Sequence, residues 1–155
     1  MGWFYLPFKG VVFGRYRESW FRRLVHIFKT RVYYEDTDAQ GVVYYANYLR
    51  FFERARTEAL RGAGYGQMKL MKEGLIFVVR NVEMKLLKPA RLDDELSIAT
   101  SLVKLGKVSF DFNQDVFVGE TLVTQAKIQC GCLDYQKFTP SSLPEYLHKG
   151  MKKLI

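Results

Sequence analysis

The chain has 155 residues, 48% of them hydrophobic and 26% charged. That balance fits one globular domain with room for a real core and excludes a disordered chain. No uncharged run approaches the roughly 20 residues a bilayer-spanning helix needs, and the formal net charge of +8 calls for an explanation.

Much of that charge sits at the start. Residues 1–25, "MGWFYLPFKGVVFGRYRESWFRRLV", carry Lys9, Arg15, Arg17, Arg22 and Arg23 against Glu18 alone, mixed with Trp3, Phe4, Tyr5, Phe8, Trp20 and Phe21. They read as a basic aromatic arm ahead of a domain at 26–155. Basic and aromatic residues together suit a membrane surface, and nucleic acid is the weaker alternative. The arm also has the low acid content of a transit peptide, but it is poor in serine and has no clear secretory apolar region. A poorly ordered leader, or a start codon called too early, is the competing reading. The tail "LHKGMKKLI" adds Lys149, Lys152 and Lys153.

Regular alternation begins at "FKTRVYY", where Phe28, Thr30, Val32 and Tyr34 share one side of a strand. "EDTDAQGVVYYANYLRFF" follows, with three acids (Glu35, Asp36, Asp38) before Gly41 and an aromatic, helix-like run after it. In "NYLRFFERARTEALRGAG", Tyr48, Phe51, Phe52, Ala55 and Ala59 form one helical stripe, with Glu53, Arg54, Arg56 and Glu58 mostly away from it. Asn47 or a neighbour is the expected N-cap, and Gly62 or Gly64 the stop.

Four strands come next. "IFVVRNVEMKL" alternates through Ile76, Val78, Arg80, Val82, Met84 and Leu86, with the charge of Arg80 at an exposed sheet end or a subunit interface, and breaks at Pro89. The later runs put Leu96, Ile98, Thr100 and Leu102 on one face. Val108, Phe110, Phe112, Gln114, Val116 and Val118 form the next, then Leu122, Thr124, Ala126, Ile128, Cys130 and Cys132. "LGK" (Leu105–Lys107) and "GE" (Gly119–Glu120) are short enough for hairpins. "SSLPEYLHKGMKK" reads as a short helix with Pro144 early in it. Strand, long helix and a run of antiparallel strands give an α+β architecture, because a single apolar helix is covered only by a sheet curving around it.

Several chemistries are excluded. Both histidines, His26 and His148, fall outside the expected core, so a Ser-His or Cys-His pair is disfavoured. Cys130 and Cys132 share a strand face, which suits core thiols in a reducing compartment rather than a disulfide or a metal site. There is no G-x-S-x-G elbow and no phosphate-binding G-x-x-x-x-G-K-[ST] loop. "GAGYG" (Gly62–Gly66) follows a helix and reads as its stop. The carboxylates remain, and the start of a helix offers free N–H donors beside which an ionised Asp and an oxyanion are both favoured.

"YYEDTDAQGVVYYANYLRFFERARTEAL" resembles the hotdog-fold acyl-CoA thioesterases, the group of 4-hydroxybenzoyl-CoA thioesterase and the bacterial Tol–Pal-associated enzymes. The likeness rests on Asp38, Gly41, Val42, Val43, Tyr44, Tyr45 and Tyr48, and extends through "FVVRNVEMKLLKPARLDDEL" to the low 140s. It implies a hotdog fold, an antiparallel sheet of about five strands wrapped around one long central helix. By the same resemblance Asp38 acts on the thioester carbonyl as nucleophile or as base for water, and the backbone N–H of Tyr45 polarises the carbonyl oxygen. Gly41 and Tyr48 fall in the substrate-binding motif, and Lys107, in the hairpin before "VSF", is the expected contact for the phosphates of coenzyme A. The Tol–Pal-type members carry His at the position of Tyr45, whereas the 4-hydroxybenzoyl-CoA branch carries Tyr.

The expected activity is hydrolysis of acyl-CoA to a carboxylic acid and coenzyme A, without metal or organic cofactor. The expected assembly is a homodimer or homotetramer with shared active sites. The expected location is the cytoplasm, with membrane-surface contact through residues 1–25. Two other classes compete: another hotdog enzyme such as a dehydratase, which usually draws on a catalytic His, and a non-catalytic membrane-associated or scaffold protein.

Overall fold

The computed structural model describes residues 25–153. Its strands are β1 (Val25–Arg31), β2 (Leu75–Leu86), β3 (Glu95–Leu105), β4 (Ser109–Val118) and β5 (Thr121–Asp134). Its helices are α1 (Asn47–Gly62), α2 (Gln67–Lys72) and α3 (Glu145–Lys152). The strands form one five-stranded sheet in the order β1-β3-β4-β5-β2, and every pairing is antiparallel. This is the α+β, sheet-around-helix architecture expected from the sequence. Residues 1–24 of the basic arm lie outside the described residues, and Val25 already pairs with Ser101. Among the described residues no helix is long and apolar enough to cross a membrane.

The core lies between one face of the sheet and α1. Leu96, Ile98 and Leu102 of β3, Phe110, Phe112 and Val116 of β4, and Ala126, Ile128, Cys130 and Cys132 of β5 cluster with Tyr48, Phe51, Phe52, Ala55 and Leu60 of the helix. Phe51 and Phe52 are wholly buried, which stabilises the fold by about 2–3 kcal/mol each. Both cysteines are free and buried, as core thiols should be, and burial pushes the Cys130 thiol up to about 11. α1 ends in a left-handed turn at Gly64, whose φ is +88°. There the Tyr65 N–H reaches the Leu60 carbonyl and the Gly64 N–H that of Arg61, so the last helix carbonyls stay satisfied. α3 follows Pro144 as expected and buries Leu147 and Met151.

Four expectations are corrected. The inward face of β2 is Leu75, Phe77 and Val79 up to a bulge between Val79 and Asn81, and Val82, Met84 and Leu86 after it. Ile76, Val78 and Arg80 therefore lie off the core face, because the bulge adds one residue and reverses the alternation. The stem of Arg80 lies over Gly131, where a Cβ would come within 3.3 Å of it. On β5 a register shift opposite Phe117 turns Leu122 outward and buries Val123 to 1% exposure. His26 is part of β1 rather than outside the core; its Nδ1 is buried without a hydrogen-bond partner, and burial lowers its pKa.

The fourth correction is Arg56, expected with Glu53, Arg54 and Glu58 mostly away from the apolar stripe and instead only 6% exposed. Its Nη1 donates to Gln114 Oε1 at 2.8 Å, and its Nη2 to Glu53 Oε2 at 2.5 Å. The Gln114 amide in turn donates to the Phe52 carbonyl at 3.0 Å and to Thr100 Oγ1 at 2.9 Å. A wholly buried glutamine must fill its hydrogen bonds, and the arginine turns inward to supply one. The network ties the second turn of α1 to β3 and β4.

Replacing Gln114 by leucine removes the acceptor of a buried guanidinium, so Gln114→Leu should lose about 1–3 kcal/mol of stability in urea denaturation. The double variant Gln114→Leu/Arg56→Leu should recover part of that loss, since no charge is then left buried without its acceptor.

Candidate active site

The catalytic expectation centres on Asp38, and the backbone there is a small hairpin rather than a plain run into the helix. Thr37 and Val43 form an antiparallel bridge, and the Asp38 N–H donates to the Val42 carbonyl at 2.9 Å. The turn closes as the Gly41 N–H donates to the Asp38 carbonyl at 2.9 Å. Gly41 sits at φ +72°, a conformation that costs a residue with a Cβ about 1–2 kcal/mol. The hairpin is clamped to the β2–β3 connection: Val42 bridges Arg91, and the Val43 N–H donates to the Ala90 carbonyl at 2.8 Å.

The three acids separate into three environments. Glu35 is exposed. Asp36 is 5% exposed and structural. Its carboxylate accepts the Tyr33 N–H at 2.9 Å, and its carbonyl accepts the Tyr44 N–H at 2.9 Å and Asn47 Nδ2 at 3.0 Å. Asp38 is half-buried; its carboxylate accepts the Gln40 N–H at 2.9 Å, and the Gln40 side-chain nitrogen faces it at 3.1 and 3.2 Å. Among the described residues no cation pairs with Asp38, so only the hydrogen bonds from Gln40 hold its charge.

The helix that follows starts bare. Ala46 holds the N-cap position of α1, no side chain caps it, and no acid lies in its first turn. The expected cap, Asn47, is instead the first helical residue and spends its amide on Asp36. The N–H groups of Asn47, Tyr48 and Leu49 turn back to the carbonyls of Tyr44, Tyr45 and Ala46. Those of Tyr45 and Ala46 have no acceptor among the described residues. Two free donors at the positive end of a helix dipole suit an oxyanion.

The other expected residues divide. The Tyr45 side chain is 57% exposed and its ring lies 4.8 Å from that of Tyr44. The Tyr45 hydroxyl, as hydrogen-bond partner, holds the Tyr44 phenol above its ordinary value. Tyr48 is a core residue at 3% exposure, set edge-on to Phe51 at 6.1 Å, and burial raises its phenol. It braces the helix start from inside and offers no surface to a ligand. Lys107 is exposed in the β3–β4 turn, where its carbonyl accepts the Leu143 N–H at 2.8 Å. That turn is at the far end of β3 from the Asp38 hairpin, about 30 Å away within one chain. Asp38 and Gly41 close one turn, the Tyr45 N–H follows two residues after the hairpin's bridge at Val43, and Lys107 stands apart. The free Ala46 N–H and the Asp36–Asn47 brace escaped the sequence reading. Only the missing Ser, Thr or Asp ahead of the helix hinted at them.

Because Gly41 needs its left-handed conformation but has open space around the position of a Cβ, Gly41→Ala should cost about 1–2 kcal/mol of stability through backbone strain alone. Denaturant titration against wild type checks this, and a neutral change would mean the turn relaxes freely.

The sequence model of the thioesterase superfamily matches residues 40–125. The chain is 47% identical over 124 residues to the acyl-CoA thioester hydrolase YbgC of Escherichia coli O6:H1, covering 79% of this chain and 92% of that protein. It is 40% identical over 119 residues to the acyl-CoA thioesterase YbgC of Haemophilus influenzae, covering 76% and 88%. Among solved structures, a probable thioesterase from Bartonella henselae superposes with a TM-score of 0.74 at 40% identity, covering 77% of this chain and 99% of that one. With a family match across more than half of its length and relatives of this closeness, the chain belongs to the thioesterase superfamily, and its sheet-around-helix architecture is the hotdog fold.

Proposed function

We propose that this protein hydrolyses acyl-CoA thioesters, with Asp38 and the bare start of α1 as its chemical centre. The observation that carries the reading is the pairing of an unbridged carboxylate on a tight hairpin with unsatisfied N–H groups of Tyr45 and Ala46 at a helix N-terminus. Those donors would take up the negative charge that grows on the thioester oxygen as the carbonyl carbon is attacked. Asp38 would either attack that carbon, expelling the coenzyme A thiolate and leaving an anhydride for water to open, or take a proton from the water that attacks. Each route ends in carboxylate and thiol. The acyl-CoA activity named for the relatives at 47% and 40% identity supports the substrate class.

The topology also supports a shared site. β2 is an edge strand of 12 residues with Val79 and Leu86 about half exposed and, among the described residues, no strand on its outer side. Long apolar edges of this kind are normally covered. Antiparallel pairing of two β2 edges about a two-fold axis would set the Leu75 end of one chain beside the Leu86 end of the other. The β3–β4 turn lies at the Leu75 end, since Ser109 pairs with Gly131 and Gly131 with Val78. The Asp38 hairpin lies at the Leu86 end. Lys107 of the partner subunit would then approach the site that Lys107 of the same chain cannot reach. A homodimer of this form gives coenzyme A a basic contact across the interface.

Thiol release from a panel of short, long and aromatic acyl-CoAs tests the activity directly; turnover of at least one is expected, and none would leave a non-catalytic hotdog protein. Within an active enzyme, Tyr45→Phe should keep most of the rate because the role assigned to Tyr45 belongs to its main chain. Tyr45→Pro removes that N–H and should cost about 10²–10³-fold in kcat. A folded but inactive Tyr45→Phe variant would assign the chemistry to the phenol instead.

A further inference from the structure

The face of the sheet turned away from α1 has features that the thioesterase reading does not use. The helices and their apolar side chains occupy the other face. Yet Ala99, Ser101, Asp111 and Asp115 on the outward face are only 7%, 3%, 5% and 4% exposed. Pairing aligns them in cross-strand rows: Val25, Ser101, Asn113 and Lys127 in one, Ile27, Ala99, Asp115 and Gln125 in the next. Asp111 lies 3.8 Å from Lys127, whereas Asp115 has no cation paired with it among the described residues. Burial pushes the Asp115 carboxyl up to about 6 even though the Gln125 side chain hydrogen-bonds to it, so a cation would stabilise its ionised form further. Beside Asp111 a recess of about 160 Å³ opens among Arg80, Lys104, Ser109 and Gln129.

The segment closest to this face along the chain is the one that precedes β1. Residues 1–24 lead directly into Val25, which stands in the outward row next to that of Asp115. They carry five cations against Glu18 alone and eight aromatic side chains. Arg22 and Arg23 are three and two residues before Val25, a reach of up to about 10 Å. Two strand spacings separate β1 from β4, again about 10 Å. Neither arginine needs a long detour to reach Asp115.

We infer that residues 1–24 dock across the outward face of their own sheet, with Arg22 and Arg23 beside Asp115 and the arm's aromatic side chains covering the middle strands. A buried carboxylate without a cation is costly, and an arm that brings arginine removes that cost while excluding water from Ala99 and Ser101. This role is independent of hydrolysis at Asp38, which lies on the hairpin leading to the other face. It also makes the arm part of the domain's packing rather than a membrane contact.

Paramagnetic broadening in the full-length chain tests the inference. The two native cysteines are buried, so a nitroxide can be placed on Ser19→Cys alone. The expected result is broadening of the Ala99–Ser101 and Asn113–Asp115 amides, unchanged on dilution and lost in Arg22→Glu/Arg23→Glu. Unbroadened amides there overturn the inference. So does broadening that arises only when nitroxide-bearing chains are mixed with ¹⁵N-labelled, nitroxide-free chains, because the face would then be covered by a second copy. Contact of the arm solely with phosphatidylglycerol vesicles, and not with the sheet, would return it to the membrane and overturn the docking equally.

Discussion

A helix that begins without a capping side chain leaves N–H groups pointing at whatever lies ahead of it, and here the preceding chain is arranged to leave them free. Asp36 is the nearest acid by hydrogen bonding, yet its carboxylate is turned back to the Tyr33 N–H and does not cap α1. Asn47, a good capping residue by type, is held by the Asp36 carbonyl. A Ser, Thr or Asp at position 46 would reach forward to the N–H groups of Tyr48 and Leu49 and stabilise the helix by about 1 kcal/mol. Ala46 forgoes that gain and puts no side-chain oxygen beside the free N–H groups of Tyr45 and Ala46.

Leaving a helix end bare requires that something else hold it. Tyr48, Phe51 and Phe52 anchor the first turns in the core, and the Gln114 amide grips the Phe52 carbonyl from β4. The hairpin bearing Asp38 is fixed from the opposite side by Ala90 and Arg91. Carboxylate and N–H donors thus hang on separate anchors, one on the sheet's inner face and one on the β2–β3 connection. Their relative position depends on both. That dependence explains why residues remote from the chemistry, such as Gln114, belong to the account of the site.

The inward faces of β3 and β4 were legible in the sequence because polar or small residues such as Ser97, Ser101, Asp111, Asn113 and Asp115 alternate with the larger ones, so the pattern maps directly onto Leu96, Ile98, Thr100 and Leu102 and onto Phe110 to Val118. β2 was misread for a local reason. The bulge at Arg80 adds a residue, and a period-2 pattern carries no sign of an insertion when the residues on both sides are apolar. Arg56 was misread because a charged residue beside an apolar stripe is usually solvated; its partner, Gln114, is 58 positions away. Asp38 and Gly41 were readable through the turn their spacing makes and the family pattern they share. Lys107 illustrates the opposite case: the resemblance offered it as a phosphate contact, and within one chain it stands in the β3–β4 turn, away from the Asp38 hairpin.

The claim at the centre of this account is that the Asp38 carboxylate performs the chemistry, not merely the binding or the folding. Single-turnover cleavage of a turned-over acyl-CoA by Asp38→Asn, with substrate affinity and unfolding measured on the same protein, tests it most directly. The account predicts a folded variant that binds substrate within a few fold of wild type and cleaves it at least about 10³-fold more slowly, the scale expected when a base or nucleophile is lost from an otherwise intact site. A folded Asp38→Asn protein cleaving near the wild-type rate would contradict it.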